Sequence, residues 1–184
     1  AMHSNLKAAQ AFANGAYDEI TPLYSTRGDV FESDDGVRAD SSLEKLAKLK
    51  PVFEKFGDIT AGNSSQITDG AAMLILASEE AVRKHRLPVL GKIVDTHWAG
   101  VDPAIMGLGP VHAMTPILQR QNLSLDDIDL LEINEAFAAQ VLACIQAWDN
   151  ESYCQKELGL AHKLGLVSME KLNPDGGAIA IGHP

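Results

Sequence analysis

The stretch Leu130-Leu-Glu-Ile-Asn-Glu-Ala-Phe-Ala-Ala-Gln140 indicates the fold class, because a strand pattern in it passes straight into a helical one. Residues 130–133 have the apolar character of a buried strand. Helical spacing follows at Phe137, Val141, Ile145 and Trp148. Polar residues at such a junction lie at the carboxyl edge of a sheet, where open α/β folds place ligands. Asn134 is also a good helix N-cap, so the position favours a binding role and a structural role equally.

Two apolar runs on the N-terminal side of this stretch, residues 71–77 and 89–94, also have strand character. Continuous apolar runs of this length are typical of strands that are buried on both faces. Between them, Ser78 predicts the N-cap of a helix that extends through Arg86. Strands that alternate with helices predict an α/β fold with a mostly parallel sheet and helices on both faces.

Four more helices are predicted from apolar spacing and capping residues. They cover residues 6–17, 42–50, 114–121 and 154–160. The last of them lies in an insertion, residues 149–169, which breaks the alternation of strands and helices.

The overall composition excludes several classes of protein. The chain has 184 residues, a formal charge of −10 and two cysteines. An acidic surface argues against a nucleic-acid partner, which would need clustered Lys and Arg. No apolar run reaches the ~18 residues that span a bilayer, and no secretory signal is visible. We therefore expect no membrane span and a reducing intracellular setting, the cytoplasm or, in a eukaryote, an organelle matrix.

Two segments rich in small residues have the character of binding turns. Residues 61–70, Ala-Gly-Asn-Ser-Ser-Gln-Ile-Thr-Asp-Gly, permit close approach of a ligand, although a loop of Asx and Ser turns is the alternative. Residues 176–184 are glycine-rich and end in Gly-His-Pro, where His183 has the setting of a general base or an oxyanion donor. A structural histidine in a frayed tail is the alternative there. We expect a functional loop at which the chain is truncated.

Neither cysteine has the setting of a catalytic nucleophile. Cys144 falls in the predicted apolar helix, where an inert buried thiol is expected. Cys154 has Glu151 and Glu157 nearby, and neighbouring carboxylates raise a thiol pKa. No metal-ligating spacing is present either, so the sequence predicts no metal site.

Taken together, the motifs resemble those of one family, the thiolases. Asn134-Glu-Ala-Phe-Ala-Ala-Gln140 and Gly176-Gly-Ala-Ile-Ala-Ile-Gly-His-Pro184 are similar to the paired signature of that family. Shorter motifs of the family precede them in order: Gly36-Val-Arg-Ala-Asp40, Lys50-Pro-Val-Phe53, Thr60-Ala-Gly-Asn-Ser-Ser65, Asp69-Gly-Ala-Ala72 and Met106-Gly-Leu-Gly-Pro110. Each motif alone is weak, but several in one order are specific, and they cover essentially the whole chain.

The resemblance implies the layered αβαβα fold of thiolases, of which this chain would hold an incomplete part. Residues 1–65 would be the end of the loop domain and the return to the core. Residues 66–184 would form most of the C-terminal half. The nucleophilic cysteine would lie before Ala1, and a second catalytic cysteine would lie beyond Pro184.

The resemblance also implies roles for residues at matching positions. His183 would help to deprotonate the nucleophile and donate to the thioester oxyanion, while Asn134 would hold a water at the same oxygen. Ser65 would bind the pantetheine part of coenzyme A (CoA), and Arg38 would contact its adenine–phosphate end. The other substrate-binding residues would be Ala61, Phe53 and Ile67 beside the pantetheine, and Met106 and Phe137 in the acyl pocket.

The implied activity is acyl-CoA C-acyltransfer, an activity of fatty acid metabolism and β-oxidation. A thiolase cleaves a 3-ketoacyl-CoA with CoA, or condenses two acyl-CoA molecules, through an acyl-cysteine intermediate. CoA is then a substrate, and no cofactor is implied. The partners would be acyl-CoA, CoA and further copies of the chain in a homodimer or homotetramer. The 184-residue chain alone is expected to be inactive.

Two other functions remain open. A thiolase-like module could bind acyl-CoA or a lipid without turnover, although such a module has no need of oxyanion donors. A condensing enzyme with carrier-protein substrates would use a pair of histidines in place of the Asn134 motif. The chain departs from the family pattern at His112, where proline is usual, and in the long insertion at 149–169, which could alter chain-length preference.

Overall fold

The computed structural model describes all 184 residues and is mainly helical in its regular structure. In chain order the elements are α1 (Met2–Ala13), β1 (Leu23–Tyr24), β2 (Val30–Phe31), α2 (Leu43–Leu46), α3 (Glu79–His85), a 3-10 helix (Pro103–Leu108), α4 (Gly109–Gln121), α5 (Ala138–Trp148), α6 (Glu151–Glu157) and α7 (Ala178–Ile181). The two strands form an antiparallel hairpin. None of the helices is both long and apolar enough to cross a bilayer.

The helix that was predicted after Ser78 is confirmed in detail. Ser78 Oγ accepts a hydrogen bond from the backbone N–H of Ala81 at 3.2 Å, and the helix ends at Arg86 in a left-handed conformation. Glu79 and Glu80 lie in the first turn, where negative charge complements the helix dipole.

The other predicted helices are present with different ends. α1 ends earlier than predicted because the chain turns at Gly15, which has a φ of +71°. α2 is a single turn, capped by Ser42. α4 begins before its predicted start because Pro110 suits a first turn. α6 also begins earlier, because Asn150 caps it by accepting from Tyr153 N at 2.9 Å. The short α7 was not predicted.

The predicted parallel sheet does not form within this chain. Residues 71–77 and 89–94 make no backbone hydrogen bond, and their side chains are exposed. Residues 130–133 contribute one parallel bridge, between Leu131 and Leu172. A strand needs a neighbour for its N–H and C=O groups, and no segment of the chain supplies one for the first two runs. The two strand predictions are therefore wrong for the structure of this chain.

The hydrophobic core lies between α4, α5 and the segment that follows α6. Trp148 is fully buried at its centre, and its indole N–H donates to Thr115 Oγ1 at 3.2 Å. The insertion packs against this core, since His112 Nε2 lies 2.9 Å from the hydroxyl oxygen of Tyr153 in α6. His112 and the insertion, the two departures from the family pattern, therefore contact each other.

A buried asparagine, Asn173, connects the C-terminal segment to the backbone just before Asn134. Asn173 is 2 % exposed, and its Oδ1 accepts from Ile133 N at 2.8 Å while its Nδ2 donates to Ile133 O at 2.9 Å. Its Nδ2 also donates to Glu135 Oε1 at 3.2 Å. The side chain thus holds the backbone before Asn134 and the carboxylate of the residue after it. Its own backbone is left-handed, with a φ of +42°, which asparagine tolerates better than other side chains.

We predict that Asn173→Ala lowers the free energy of unfolding by about 3 kcal/mol or more, because it leaves both buried backbone groups of Ile133 without partners. Urea unfolding measures the change. Asn122→Ala is the matched control, since Asn122 is also left-handed, with a φ of +54°, but lies exposed at the end of α4. The control should cost about 1 kcal/mol. Equal losses in the two variants would show that the buried hydrogen bonds contribute nothing.

Candidate active site

Asn134 lies where the extended segment 130–133 turns toward α5. The parallel bridge of Leu131 with Leu172 and the side chain of Asn173 fix the backbone just before it. The side chain of Asn134 is exposed and does not cap α5, whose N-cap is Phe137 without a side-chain hydrogen bond. The capping alternative for Asn134 is therefore wrong, which leaves its amide free for another role.

His183 follows α7 on a turn that only glycine can make. Gly182 has a φ of +99°, and a Cβ at this position would overlap Thr68. Past the turn, His183 pairs with Ile67 in a parallel bridge, and its backbone N–H donates to Gln66 O at 3.3 Å. The loop containing His183 therefore runs beside the predicted CoA-binding segment, with the imidazole exposed.

The structure brings Asn134 and His183 together. Asn134 Nδ2 lies 3.3 Å from His183 Nε2, across a separation of 49 positions in the chain. The amide N–H donates to Nε2 when the imidazole carries its proton on Nδ1, and Nε2 is then the basic nitrogen of the pair. Two polar groups on one exposed surface can both reach a reacting oxygen or a proton there. The arrangement is suited to acid–base chemistry or oxyanion stabilisation.

Glu135 links the segment that carries Asn134 to α7, which precedes His183. This role was not predicted from the sequence. Glu135 Oε2 accepts from Ser4 Oγ at 2.6 Å and from Ile179 N at 3.3 Å, so it joins α1 and α7 to the segment that carries Asn134. Gly177 packs closely against this carboxylate, since a Cβ there would lie 2.6 Å from the Glu135 carboxyl carbon and would displace its side chain. A second carboxylate, after Glu132, in this strand-to-helix junction was the available signal for this role.

A cavity of about 510 Å³ lies beside the His183 loop and takes in part of the predicted CoA site. Three of the predicted binding residues, Arg38, Ala61 and Ser65, line it together. Ser65 is fixed by its backbone N–H, which donates to Ala136 O at 3.0 Å. One residue that lines the cavity is therefore bonded to the turn that follows Asn134.

The remaining predicted binding residues lie outside this cavity. Phe53 contacts Phe137 edge to face, with 6.4 Å between the ring centroids. Ile67 is fully exposed, although its backbone pairs with His183. Met106 is 65 % exposed, on the 3-10 helix that packs against α5. Phe53, Ile67 and Met106 are therefore open to solvent in this chain.

Neither cysteine is available as a nucleophile. Cys144 is fully buried, its Sγ donates to Gly107 O at 3.2 Å, and burial raises the pKa of its thiol. Cys154 is also fully buried, and its Sγ lies 3.4 Å from the carbonyl oxygens of Ala147 and Trp148. No group of three or more His, Cys, Asp or Glu side chains is placed to hold a metal ion.

Comparison with known proteins gives the family. The family profile "Thiolase, C-terminal domain" matches residues 87–184, and "Thiolase, N-terminal domain" matches residues 1–80. The chain is 43 % identical to the 3-ketoacyl CoA thiolase 1, peroxisomal, of Petunia hybrida over 100 % of its own length and 38 % of that protein. It is 44 % identical to the beta-ketoadipyl-CoA thiolase of Pseudomonas aeruginosa, over 100 % of its length and 43 % of that protein.

Solved structures agree with the sequence comparison. The dimeric peroxisomal thiolase of Saccharomyces cerevisiae superimposes with a TM-score of 0.85 at 41 % identity, over 100 % of this chain and 43 % of that one. The human mitochondrial 3-ketoacyl-CoA thiolase in complex with CoA gives 0.83 at 40 % identity, over 100 % and 42 %. These neighbours confirm the predicted fold class, while the predicted domain boundary near residue 65 stays a prediction. The chain spans about 40 % of the length of its relatives, and it belongs to the thiolase family.

Proposed function

We propose that this chain forms the oxyanion site and part of the CoA site of a thiolase that acts on 3-ketoacyl-CoA. The observation that carries the proposal is the approach of Asn134 Nδ2 to His183 Nε2 at 3.3 Å. Both side chains are exposed, and hydrogen bonds hold the backbone of Ile133 just before Asn134 and the backbone N–H of His183. Such a rigid pair of polar groups, open to a ligand, is what a developing negative charge requires.

The cavity and the relatives support CoA thioesters as the substrates. Arg38 gives the cavity a positive charge that suits the phosphates of CoA, and Ser65 offers a hydroxyl near the turn of Asn134. Relatives are named 3-ketoacyl-CoA thiolases, and one structural neighbour is a complex with CoA. We propose CoA as a substrate and no separate cofactor.

The reaction that fits is thiolysis through an acyl-cysteine. A cysteine thiolate adds to the keto carbon, the bond to the α-carbon breaks, and protonation of that carbon releases acetyl-CoA. The thiol of a second CoA then takes the acyl group from the cysteine. His183 would accept the thiol proton and donate to the thioester oxygen, and Asn134 would hold a water at that oxygen. Condensation of two acyl-CoA molecules is the reverse.

The nucleophile in this scheme comes from outside these 184 residues. Both cysteines of the chain are buried away from His183, and both are bonded to backbone carbonyls. The exposed apolar runs at 71–77 and 89–94 also need neighbours to cover them. We therefore propose that the chain works as part of a longer thiolase, called the complete enzyme below.

The assembly and the compartment are also proposed from relatives. The yeast peroxisomal neighbour is a dimeric enzyme, which supports a homodimer here, with a homotetramer as the alternative. Several relatives are named peroxisomal, which supports an organelle matrix over the cytoplasm.

We predict that His183→Ala in the complete enzyme lowers kcat for acetoacetyl-CoA thiolysis about 10²-fold or more, the usual effect of removing an oxyanion donor or general base. Loss of absorbance of the 3-ketoacyl thioester measures the rate. His85→Ala, an exposed histidine in α3, should leave the rate unchanged. A near-normal rate for His183→Ala would remove His183 from the mechanism.

We predict that the isolated 184-residue chain shows no thiolysis of acetoacetyl-CoA. It offers no accessible thiolate to attack the keto carbon, whatever its affinity for CoA. The same absorbance assay measures this, with the complete enzyme as the positive control. Turnover by the isolated chain would mean that one of its own cysteines is the nucleophile.

We predict that Cys144 in the folded complete enzyme reacts with iodoacetamide at pH 8 at least ~10-fold more slowly than in denaturant. Its raised pKa keeps the thiolate fraction below that of an ordinary cysteine at the same pH. The labelling rate of the native protein should therefore increase only at a pH above the usual pKa of a cysteine thiol. Mass spectrometry of the peptide that contains Cys144 gives the rate. Fast labelling of the native protein would contradict the burial of this thiol.

A further inference from the structure

We propose that Gln66 is a positioning residue that links the adenine–phosphate end of the CoA cavity to the His183 loop, an inference that rests on the proposed function. Gln66 lines the cavity together with Arg38 and Ser65. It also contacts the loop before Arg38, α7 and the backbone of His183. No other residue of the cavity makes hydrogen bonds to both the Arg38 loop and the His183 loop.

The hydrogen bonds of Gln66 join three separate segments. Its side-chain Nε2 donates to Gly36 O at 3.1 Å and to Ala180 O at 3.4 Å. Its backbone oxygen accepts from His183 N at 3.3 Å. The amide therefore connects the Arg38 loop to α7, while its main chain holds the first residue beyond the Gly182 turn.

The junction brings the Arg38 loop and α7 within contact distance of the Gln66 amide. A Cβ at Gly36 would lie 2.6 Å from Gln66 Nε2 and 3.0 Å from Ala180 O, so the three groups are in close contact. Ala180 is fully buried, and Gln66 is half-buried. In close-packed surroundings a displacement of one group is passed to its neighbours rather than absorbed by empty space.

The junction gives the remote part of CoA a way to affect the reaction. Contacts of the nucleotide with Arg38 would hold the loop at Gly36, and Gln66 would then hold α7 and His183 in the reactive position. Binding energy from a part of the substrate that does not react would thus appear in kcat and not only in KM. Without the amide, the nucleotide would still bind, but its effect on His183 would be lost.

The test compares two substrate pairs in the complete enzyme: acetoacetyl-CoA with CoA, and acetoacetyl-pantetheine with pantetheine, which lack the nucleotide. For the unaltered enzyme we expect kcat with the CoA pair to be at least ~5-fold higher. Gln66→Met keeps the length and packing of the side chain but removes the donor. In this variant we expect kcat with the CoA pair to fall to the value of the pantetheine pair, with KM for CoA little changed.

A control variant and an NMR measurement distinguish a failure of the coupling from a failure of the proposed function. Gln155→Met, a change of the same kind in α6, should keep the kcat ratio of the unaltered enzyme. Adenosine 3′,5′-bisphosphate should shift the NMR signals of the His183 imidazole in the unaltered enzyme but not in Gln66→Met. An unchanged kcat ratio in Gln66→Met, a ratio of one in the unaltered enzyme, or equal NMR shifts would overturn the inference. Absence of thiolysis together with a Gln66-dependent NMR shift would instead refute the proposed function and leave the coupling standing.

Discussion

The side-chain amide of Asn173 is the contact on which the rest of the site depends. It bonds both backbone groups of Ile133 and one carboxylate oxygen of Glu135, so Asn134 is held from both sides. The amide is buried, and water therefore does not compete for these bonds. As a result the backbone of Asn134 has little freedom, although its side chain is exposed to a ligand.

The same network reaches His183 from two directions. Glu135 bonds Ile179 in α7, and Gln66 bonds Ala180 in α7 and the backbone of His183. The exposed reactive pair thus rests on buried or half-buried polar groups that have partners. A site prearranged in this way avoids the cost of reorganisation when charge develops on the thioester oxygen. This hydrogen-bond network explains why a polar residue such as Asn173 is buried in a chain whose main hydrophobic core, around Trp148, is apolar.

The sequence predicted features that depend on local signals and missed those that depend on distant contacts. The helix after Ser78 and the helix after Phe137 follow from capping and apolar spacing, which are properties of neighbouring residues. The run at residues 71–77 was predicted as a buried strand and is exposed in this chain, because an apolar pattern does not tell whether the segment that covers it belongs to the same chain. Asn173 was missed because its partner Ile133 is 40 positions away. Residues Asn134 and His183 were paired only through the family resemblance.

The central claim is that Asn134 and His183 act as one unit on one oxygen, and a double-mutant cycle tests it most directly. The four enzymes are the unaltered complete enzyme, Asn134→Ala, His183→Ala and the double variant, each assayed for thiolysis. Residues that act as a unit are strongly non-additive, so the account predicts that Asn134→Ala has little further effect once His183 is absent. A double variant whose loss equals the product of the two single losses would contradict it.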